Sequence, residues 1–302
     1  MNVQGCDCSI VIKTTHREMG VPYAEETIRE AVSLLREEAV IEGDGVCKAI
    51  KRSNGVTGCI VTPLTLGSTP LLLYLAMGSS GQTVYVSETR NLYVNNLNLM
   101  PLEDGTRFDL IQARTVSNEQ LASNQRFANN ERRLFEGCGV KAFELRFMRG
   151  ENVKLKFDIC GERAPVVYPY TDTPQTESGE RFHGDSVTYR INGKEYTNIY
   201  GLTLLSKKEG GTKTEIWIRR TLDDTAEIPE IIDELVIAAQ LLRDRYEARH
   251  FGRFAITVKR LVLVADETDV NSSDTVIGPL RFYVAGTVKA EVFSNSDVPV
   301  GV

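Results

Sequence analysis

The sequence predicts a mainly β protein with a few helices, arranged as two sandwich-like or barrel-like β domains in tandem. Three observations support this prediction: hairpins in which apolar and polar residues alternate, 24 glycines among 302 residues, and a Pro- and Gly-rich stretch between two β-rich portions. Frequent glycine is typical of folds with many turns, and alternation is the pattern of a strand with one buried face.

The clearest element is a hairpin at 140–159, with a turn at 149–152. Apolar residues occupy every second position on both arms, which predicts one buried and one exposed face. These alternating residues are Phe143, Leu145, Phe147, Val153, Leu155, Phe157 and Ile159.

Further strands follow the same pattern. A second hairpin is predicted at 195–221, with its turn at 207–211. A third pair runs from 254 to 264 and, after a loop, from 282 to 288. Single strands are expected at 9–13, 56–66 and 106–116.

Two segments predict helices, the longer at 227–246 and the shorter at 69–77. In the longer segment, apolar residues recur at the spacing of one helical face. Acidic residues crowd its start and arginines its end, as the helix dipole favours, and Pro229 suits a first turn. The apolar residues are Ile228, Ile231, Ile232, Leu235, Val236, Ala239, Leu242 and Tyr246.

The composition changes at 162–185, where Pro, Gly, Thr and Ser favour a linker or long loop. This predicts an N-terminal domain at 1–161 and a C-terminal domain at 186–302 that contains the helix near 227–246. Each portion has hairpins and one helix, which is consistent with a diverged duplication, although no residue-level repeat is visible.

The charge of the chain argues against tight nucleic-acid binding. With 41 acidic and 35 basic residues, the net charge is −6, so no basic excess is present to grip phosphates. The N-terminus lacks the pattern of a signal peptide, and the longest apolar runs are too short to span a bilayer. We expect a reducing cytoplasm, in which the six cysteines need not be paired.

No sequence motif points to catalysis, so we expect neither enzymatic activity nor a cofactor. The three histidines, His16, His183 and His250, lie outside any catalytic or metal-binding pattern. Spatially assembled carboxylates leave a hydrolase open, but nothing selects a pair among 41 acids.

A metal site is also not expected. Cys6 and Cys8 could join Cys47 or Cys59 around a metal, but Cys-x-Cys is not the usual zinc spacing, and a shared packing face is simpler. Cys138 and Cys160 bracket the first hairpin and are expected to pack as small apolar residues, with a later disulfide left open.

The order of these elements resembles bacteriophage tail tube (major tail) proteins of about three hundred residues. A short first strand and a stretch at 29–52 precede NGVTGCIVTPL at 54–64, which leads to LLLYLAMG at 71–78. FEGCGVKAFEL at 135–145 and GENVKLKFD at 150–158 then form a strand, a Gly-Glu turn and a second strand. The resemblance covers most of the chain and rests on this succession.

The resemblance implies a structural virion subunit that polymerises into stacked rings, forming the channel for DNA ejection. It implies assembly in the host bacterial cytoplasm and location in the virion tail. Edge strands would join neighbouring subunits, and rotation would close a ring. We expect a homotrimer with pseudo-sixfold symmetry, in which the two portions are equivalent; the alternative is a homohexamer.

The implied partners are other copies of the chain, tail tip and terminator proteins, and, in the lumen, the tape measure protein and viral DNA without sequence-specific binding. No membrane partner is implied. An acidic stretch at 266–274 lacks the glycine and terminal glutamate of a calcium loop and would line the lumen or touch the next ring. Departures from the family are the Cys6-x-Cys8 start and the charged helix at 227–246.

An alternative function is a monomeric β-sandwich module that binds glycans or a cell surface. Such a module would need an exposed aromatic platform. Tyr168, Tyr170, Tyr196 and Tyr200 could supply one.

Overall fold

The prediction of a mainly β protein is confirmed by a computed structural model, which contains many strands and, in the part of the chain that it describes, one α-helix. The structure describes residues 8–15, 18–37, 48–78, 82–87, 92–102, 105–114, 131–163, 165–167, 179–208, 211–221, 227–241, 252–266 and 276–294. The helix is α1 (Thr69–Met77). The strands are β1 (Cys8–Lys13), β2 (Glu18–Val21), β3 (Glu25–Glu26), β4 (Arg29–Glu37), β5 (Lys48–Pro63), β6 (Gln82–Ser87), β7 (Leu92–Asn98), β8 (Phe108–Arg114), β9 (Glu131–Met148), β10 (Lys154–Gly161), β11 (Val166–Val167), β12 (Val187–Ile191), β13 (Lys194–Glu195), β14 (Ile199–Lys208), β15 (Thr212–Thr221), β16 (Ile231–Gln240), β17 (Arg253–Asp266), β18 (Val276–Val284) and β19 (Val288–Ser294).

The paired strands are antiparallel, and most of them form one long succession. From β5 the neighbours are β10, β9, β14, β15, β18 and β17 in turn. From β17 the sheet continues through β19 and β7 to β6 on one side and through β16 to β12 on the other. The hairpins predicted at 140–159 and 195–221 are confirmed, as are strands at 9–13, 56–63 and 108–114. In the third pair, β17 contains residues 254–264, but the predicted segment 282–288 spans the end of β18, a turn at 285–287 and the start of β19.

Strand β17 bends between its two halves. Residues 261–266 pair with β18, residues 253–258 pair with β19, and β16 follows both halves. Arg260 lies between them with φ of 58°, a left-handed conformation that non-glycine residues seldom adopt. The Lys259 N–H donates to the Thr287 carbonyl at 2.9 Å and the Ala285 N–H donates to the Arg260 carbonyl at 2.8 Å, so the β18–β19 turn braces the bend.

The bend places two layers face to face. Phe147 on β9 and Phe254 on β17 are fully buried, and their ring centroids lie 6.1 Å apart although their strands are not paired. Phe182 meets the Phe254 ring edge-on at 4.8 Å. These aromatic contacts join the layers into one core.

The two halves of strand β9 also pair with different strands. Its first half pairs with β8 and β11, and its second half pairs with β10 and β14. Gly137, with φ of 64°, lies where the pairing changes. Strand β8 also pairs with β1, and β1 pairs with β2, which extends the sheet on this side.

Helix α1 matches the predicted segment at 69–77 and lies against β7, β9 and β19. It is buried on most sides, and Leu71, Leu72, Leu73 and Leu75 belong to the core. Gly78 ends it in the left-handed conformation, donating its N–H to the Tyr74 carbonyl at 2.9 Å.

The helix predicted at 227–246 is wrong, because residues 231–240 form strand β16 and residues 227–230 precede it without helical structure. Residues 242–246 lie outside the described part of the chain. The described apolar positions fit both the helical period of 3.6 residues and the strand period of two residues. Leu235, Ile237, Ala239 and Leu241, at every second position, are all buried. Neighbouring strands β12 and β17 supply hydrogen-bonding ladders on both sides, and the β-branched residues suit a sheet.

The predicted tandem arrangement, with domains at 1–161 and 186–302, is not what the strand pairing describes. Strand β9 pairs with β14, and β7 pairs with β19, so strands from both sides of the predicted linker at 162–185 are neighbours. Within that stretch Phe182 is fully buried and contributes to the shared core. The two portions complete one sheet system.

We predict that Phe254→Ala lowers the free energy of unfolding by about 3–5 kcal/mol, because it leaves a cavity between the layers. Urea unfolding measures the change. Lys289→Ala, at an exposed position of β19, is the control and should alter stability by less than about 0.5 kcal/mol. A small effect of Phe254→Ala would contradict the role of this ring.

We predict that Gly286→Ala destabilises the fold by about 1–3 kcal/mol, because a Cβ at Gly286 would lie 2.4 Å from the Lys259 carbonyl oxygen. Gly179→Ala is the matched control, since the nearest atom to its Cβ would be 3.6 Å away. Equal unfolding midpoints for the two variants would show that the turn does not brace the bend.

Candidate assembly surface

Four large apolar side chains are exposed together on the outer face of β16, β17 and β18. Ile231, Val262, Val264 and Tyr283 have exposed fractions of 65%, 44%, 62% and 43%. Ile231 lies opposite Val262, and Val262 lies opposite Tyr283, so three strands contribute to one continuous surface. We call these four residues the apolar strip.

The strip is exposed because its strands are apolar on both faces at this end of the sheet. Ile232, Leu261 and Phe282 alternate with strip residues and face the core, each at 0% exposure. In the sequence, this part of the strip appears only as an unbroken apolar run at 261–264. Such a run predicts a strand but does not tell which of its faces is covered by other elements. The strip was therefore missed from the sequence.

A polar cluster borders the strip on β15 and β18. Arg281 donates from Nε and Nη2 to the two Glu215 carboxylate oxygens at 2.9 and 2.8 Å. The Trp217 indole Nε1 donates to Glu215 at 3.2 Å, and the Arg281 guanidinium lies 5.8 Å from the Trp217 ring centroid. Glu215 itself lies opposite Tyr283. The bidentate pair therefore orders the surface beside the strip.

This arrangement lowers the pKa of Glu215 below its usual range. The hydrogen bonds from Arg281 are the main cause, followed by partial burial, which opposes the shift, and by the bond from Trp217. The carboxylate is thus held charged next to the strip.

Strand β11 presents a second exposed apolar position. Val166 and Val167 have exposed fractions of 52% and 77%, and they pair with Leu134 and Arg133 of β9. Within the described residues no strand covers the other edge of β11. An open edge of this kind is a template for pairing with another chain.

Of the four tyrosines predicted to form a platform, the structure describes two, and these two do not form an exposed one. Tyr196 is buried and Tyr200 is half-buried, while Tyr168 and Tyr170 lie outside the described residues. Lys194 also lies over the Tyr196 ring, at 5.3 Å from its centroid. Neither Tyr196 nor Tyr200 therefore presents a fully exposed ring.

The structure describes the side chains of three cysteines and one histidine. Cys59, Cys138 and Cys160 are free thiols, and burial is the main cause that raises the pKa of Cys138 to about 12, so this thiol stays protonated. His183 caps a short 3-10 turn, accepting at Nδ1 from the Asp185 N–H at 3.4 Å. The remaining candidates lie outside the described part: Cys6, Cys47, His16, His250, the Cys8 side chain and residues 267–274.

Within the described residues, no group of three His, Cys, Asp or Glu side chains could hold a metal ion. The same part of the chain has no helix long and apolar enough to cross a membrane. No protein-family model matches the chain, and no curated protein matches it.

We predict that Glu215 stabilises the fold at neutral pH and loses this effect in acid. Because its folded-state pKa is lowered, its contribution is present above the unfolded-state pKa and disappears as the pH falls through the folded-state value. Glu215→Gln should lower the urea midpoint at about pH 6, and the difference from wild type should shrink towards about pH 3. A difference that is independent of pH would contradict this electrostatic role.

Proposed function

We propose that the chain is a structural subunit that polymerises into stacked rings of a phage-type tail tube and carries out no chemistry. The observation that carries this proposal is the apolar strip. Large side chains in contact across three strands mark a protein interaction surface when they are left exposed. A second copy would remove the strip from water.

The sheet edges support the same proposal. The open edge of β11 can accept a strand of a neighbour, as edge strands do in β-augmentation. The strip and this edge are different surfaces, and a contact between unlike surfaces is heterologous. Repeated heterologous contacts close into a ring when the rotation allows it.

The shared sheet favours six chains in each ring. A trimer with pseudo-sixfold symmetry would need two equivalent units in each chain. Strands from both portions instead belong to one sheet, which they join at the β9–β14 and β7–β19 pairings. We therefore propose a homohexamer, with the tape measure protein and DNA in its lumen and tail tip and terminator proteins at its ends.

Negative-stain electron microscopy of the purified full chain tests polymerisation. We expect rings or tubes with a central channel, formed at high concentration or after addition of a tail-tip initiator complex. A chain that remains strictly monomeric under both conditions would overturn the proposal.

We predict that Val262→Lys abolishes ring formation while the subunit stays folded. The lysine places a charge in the middle of the apolar strip, where an interface would have to desolvate it. Light scattering after size-exclusion chromatography gives the mass of the assembly, and circular dichroism verifies the fold.

Ala24→Lys is the control, because it introduces the same side chain at an exposed position outside both the strip and the β11 edge. Val167→Lys tests the β11 edge in the same way. If Val262→Lys assembles like wild type, the strip is not the contact. If Val167→Lys alone prevents assembly, the β11 edge and not the strip is the assembly contact.

A further inference from the structure

A groove with a volume of about 550 Å³ lies on the outer face of β12, β16, β17 and β19. Its floor is made of small side chains that lie side by side across the strands. Thr188 lies opposite Ala238, Ala238 opposite Ala255, and Ala255 opposite Glu291. Small residues in the centre and long ones around them make this part of the sheet concave.

Two arginines border the groove. Arg190 and Arg253 are both exposed, and among the described residues neither forms an ion pair. The Arg253 guanidinium lies 4.7 Å from the Phe293 ring centroid, which restricts its position. Glu291 is the one carboxylate that lines the groove, so the lining has a net positive charge on a chain whose net charge is −6.

We propose that this groove binds the acidic segment 267–274 of a second copy of the chain. That segment contains Glu267, Asp269 and Asp274 and no basic residue. Guanidinium groups bind carboxylates through paired hydrogen bonds, and a groove over a flat floor of Ala and Thr admits an extended chain. The proposal deepens the proposed function and rests on it, because it names a contact between stacked subunits.

The two ends of β17 explain why the occupant comes from another copy. Arg253, Ala255 and Thr257 line the groove at the start of β17, whereas the acidic segment leaves from its far end at Asp266. Each arm of the bent strand is about 20 Å long at about 3.3 Å per residue. Both neighbours of the segment are fixed in strands β17 and β18, and nine residues span at most about 30 Å of extended chain, so the chain length limits its reach to about 15 Å.

We therefore assign the occupant of the groove to a second copy. A second copy placed head to tail along β17 brings its acidic segment to the groove of the first. This contact is heterologous and leaves a free groove at one end and a free segment at the other, which is the geometry of a growing stack.

Binding of a synthetic peptide of residues 266–275 to the full chain tests the proposal directly. Fluorescence anisotropy should show binding that weakens as salt is added, because the contact is between charges. The double variant Arg190→Glu/Arg253→Glu should weaken binding about tenfold or more. A neutral peptide, with Asn and Gln in place of Asp and Glu, should also bind weakly to wild type. Its affinity should not exceed that of the acidic peptide for the double variant.

The control is Lys213→Glu/Arg219→Glu, which makes the same change in net charge at exposed positions of β15, outside the groove. It should bind the acidic peptide within about twofold of wild type. Equal loss in both double variants would show that net charge alone drives binding and would overturn the proposal. Absence of binding to wild type at about 1 mM peptide in low salt would also overturn it.

Assembly separates this inference from the proposed function. The groove variant should form single rings that do not stack, whereas Val262→Lys should form no rings. Tubes of normal length from the groove variant would overturn the inference and leave the ring proposal standing. If wild type never forms rings, the ring proposal fails, and peptide binding still decides whether the groove takes the acidic segment.

Discussion

The bend of β17 at Arg260 is the constraint on which the rest of the structure depends. One half of the strand pairs with β18 and the other with β19, so a single strand belongs to both layers. The bend brings Phe254 against Phe147 and Phe182 and thereby closes the core. Backbone hydrogen bonds from the β18–β19 turn hold it, and Gly286 is needed there because a side chain would meet the Lys259 carbonyl.

The same strand connects the fold to the proposed assembly. Val262 and Val264 on its second half belong to the apolar strip, and Ala255 and Thr257 on its first half line the groove. Because one half carries exposed apolar residues and the other lines a groove bordered by arginines, one subunit presents two unlike surfaces. A chain with two unlike surfaces is suited to heterologous contacts in two directions, within a ring and between rings.

The β-hairpins and α1 were predictable because their patterns are local. Alternation at 143–159 needs no information about neighbouring strands, and the segment at 69–77 ends at a glycine that terminates a helix. The segment at 227–246 was misread because its described apolar residues satisfy two periods, and only the ladders from β12 and β17 choose between them. The apolar strip was missed for a similar reason, since exposure depends on whether another element covers Val262 and Tyr283.

By itself, the sequence determined the mainly β class, most of the strands, the short helix and the absence of a basic surplus, because composition and short-range periodicity encode them. The tertiary structure decided which strands are neighbours, and so showed that the two β-rich portions share one sheet. It also decided which apolar residues of β16, β17 and β18 stay exposed and that Arg190 and Arg253 line the same groove. These features arise from contacts between residues far apart in the chain, which no local pattern records.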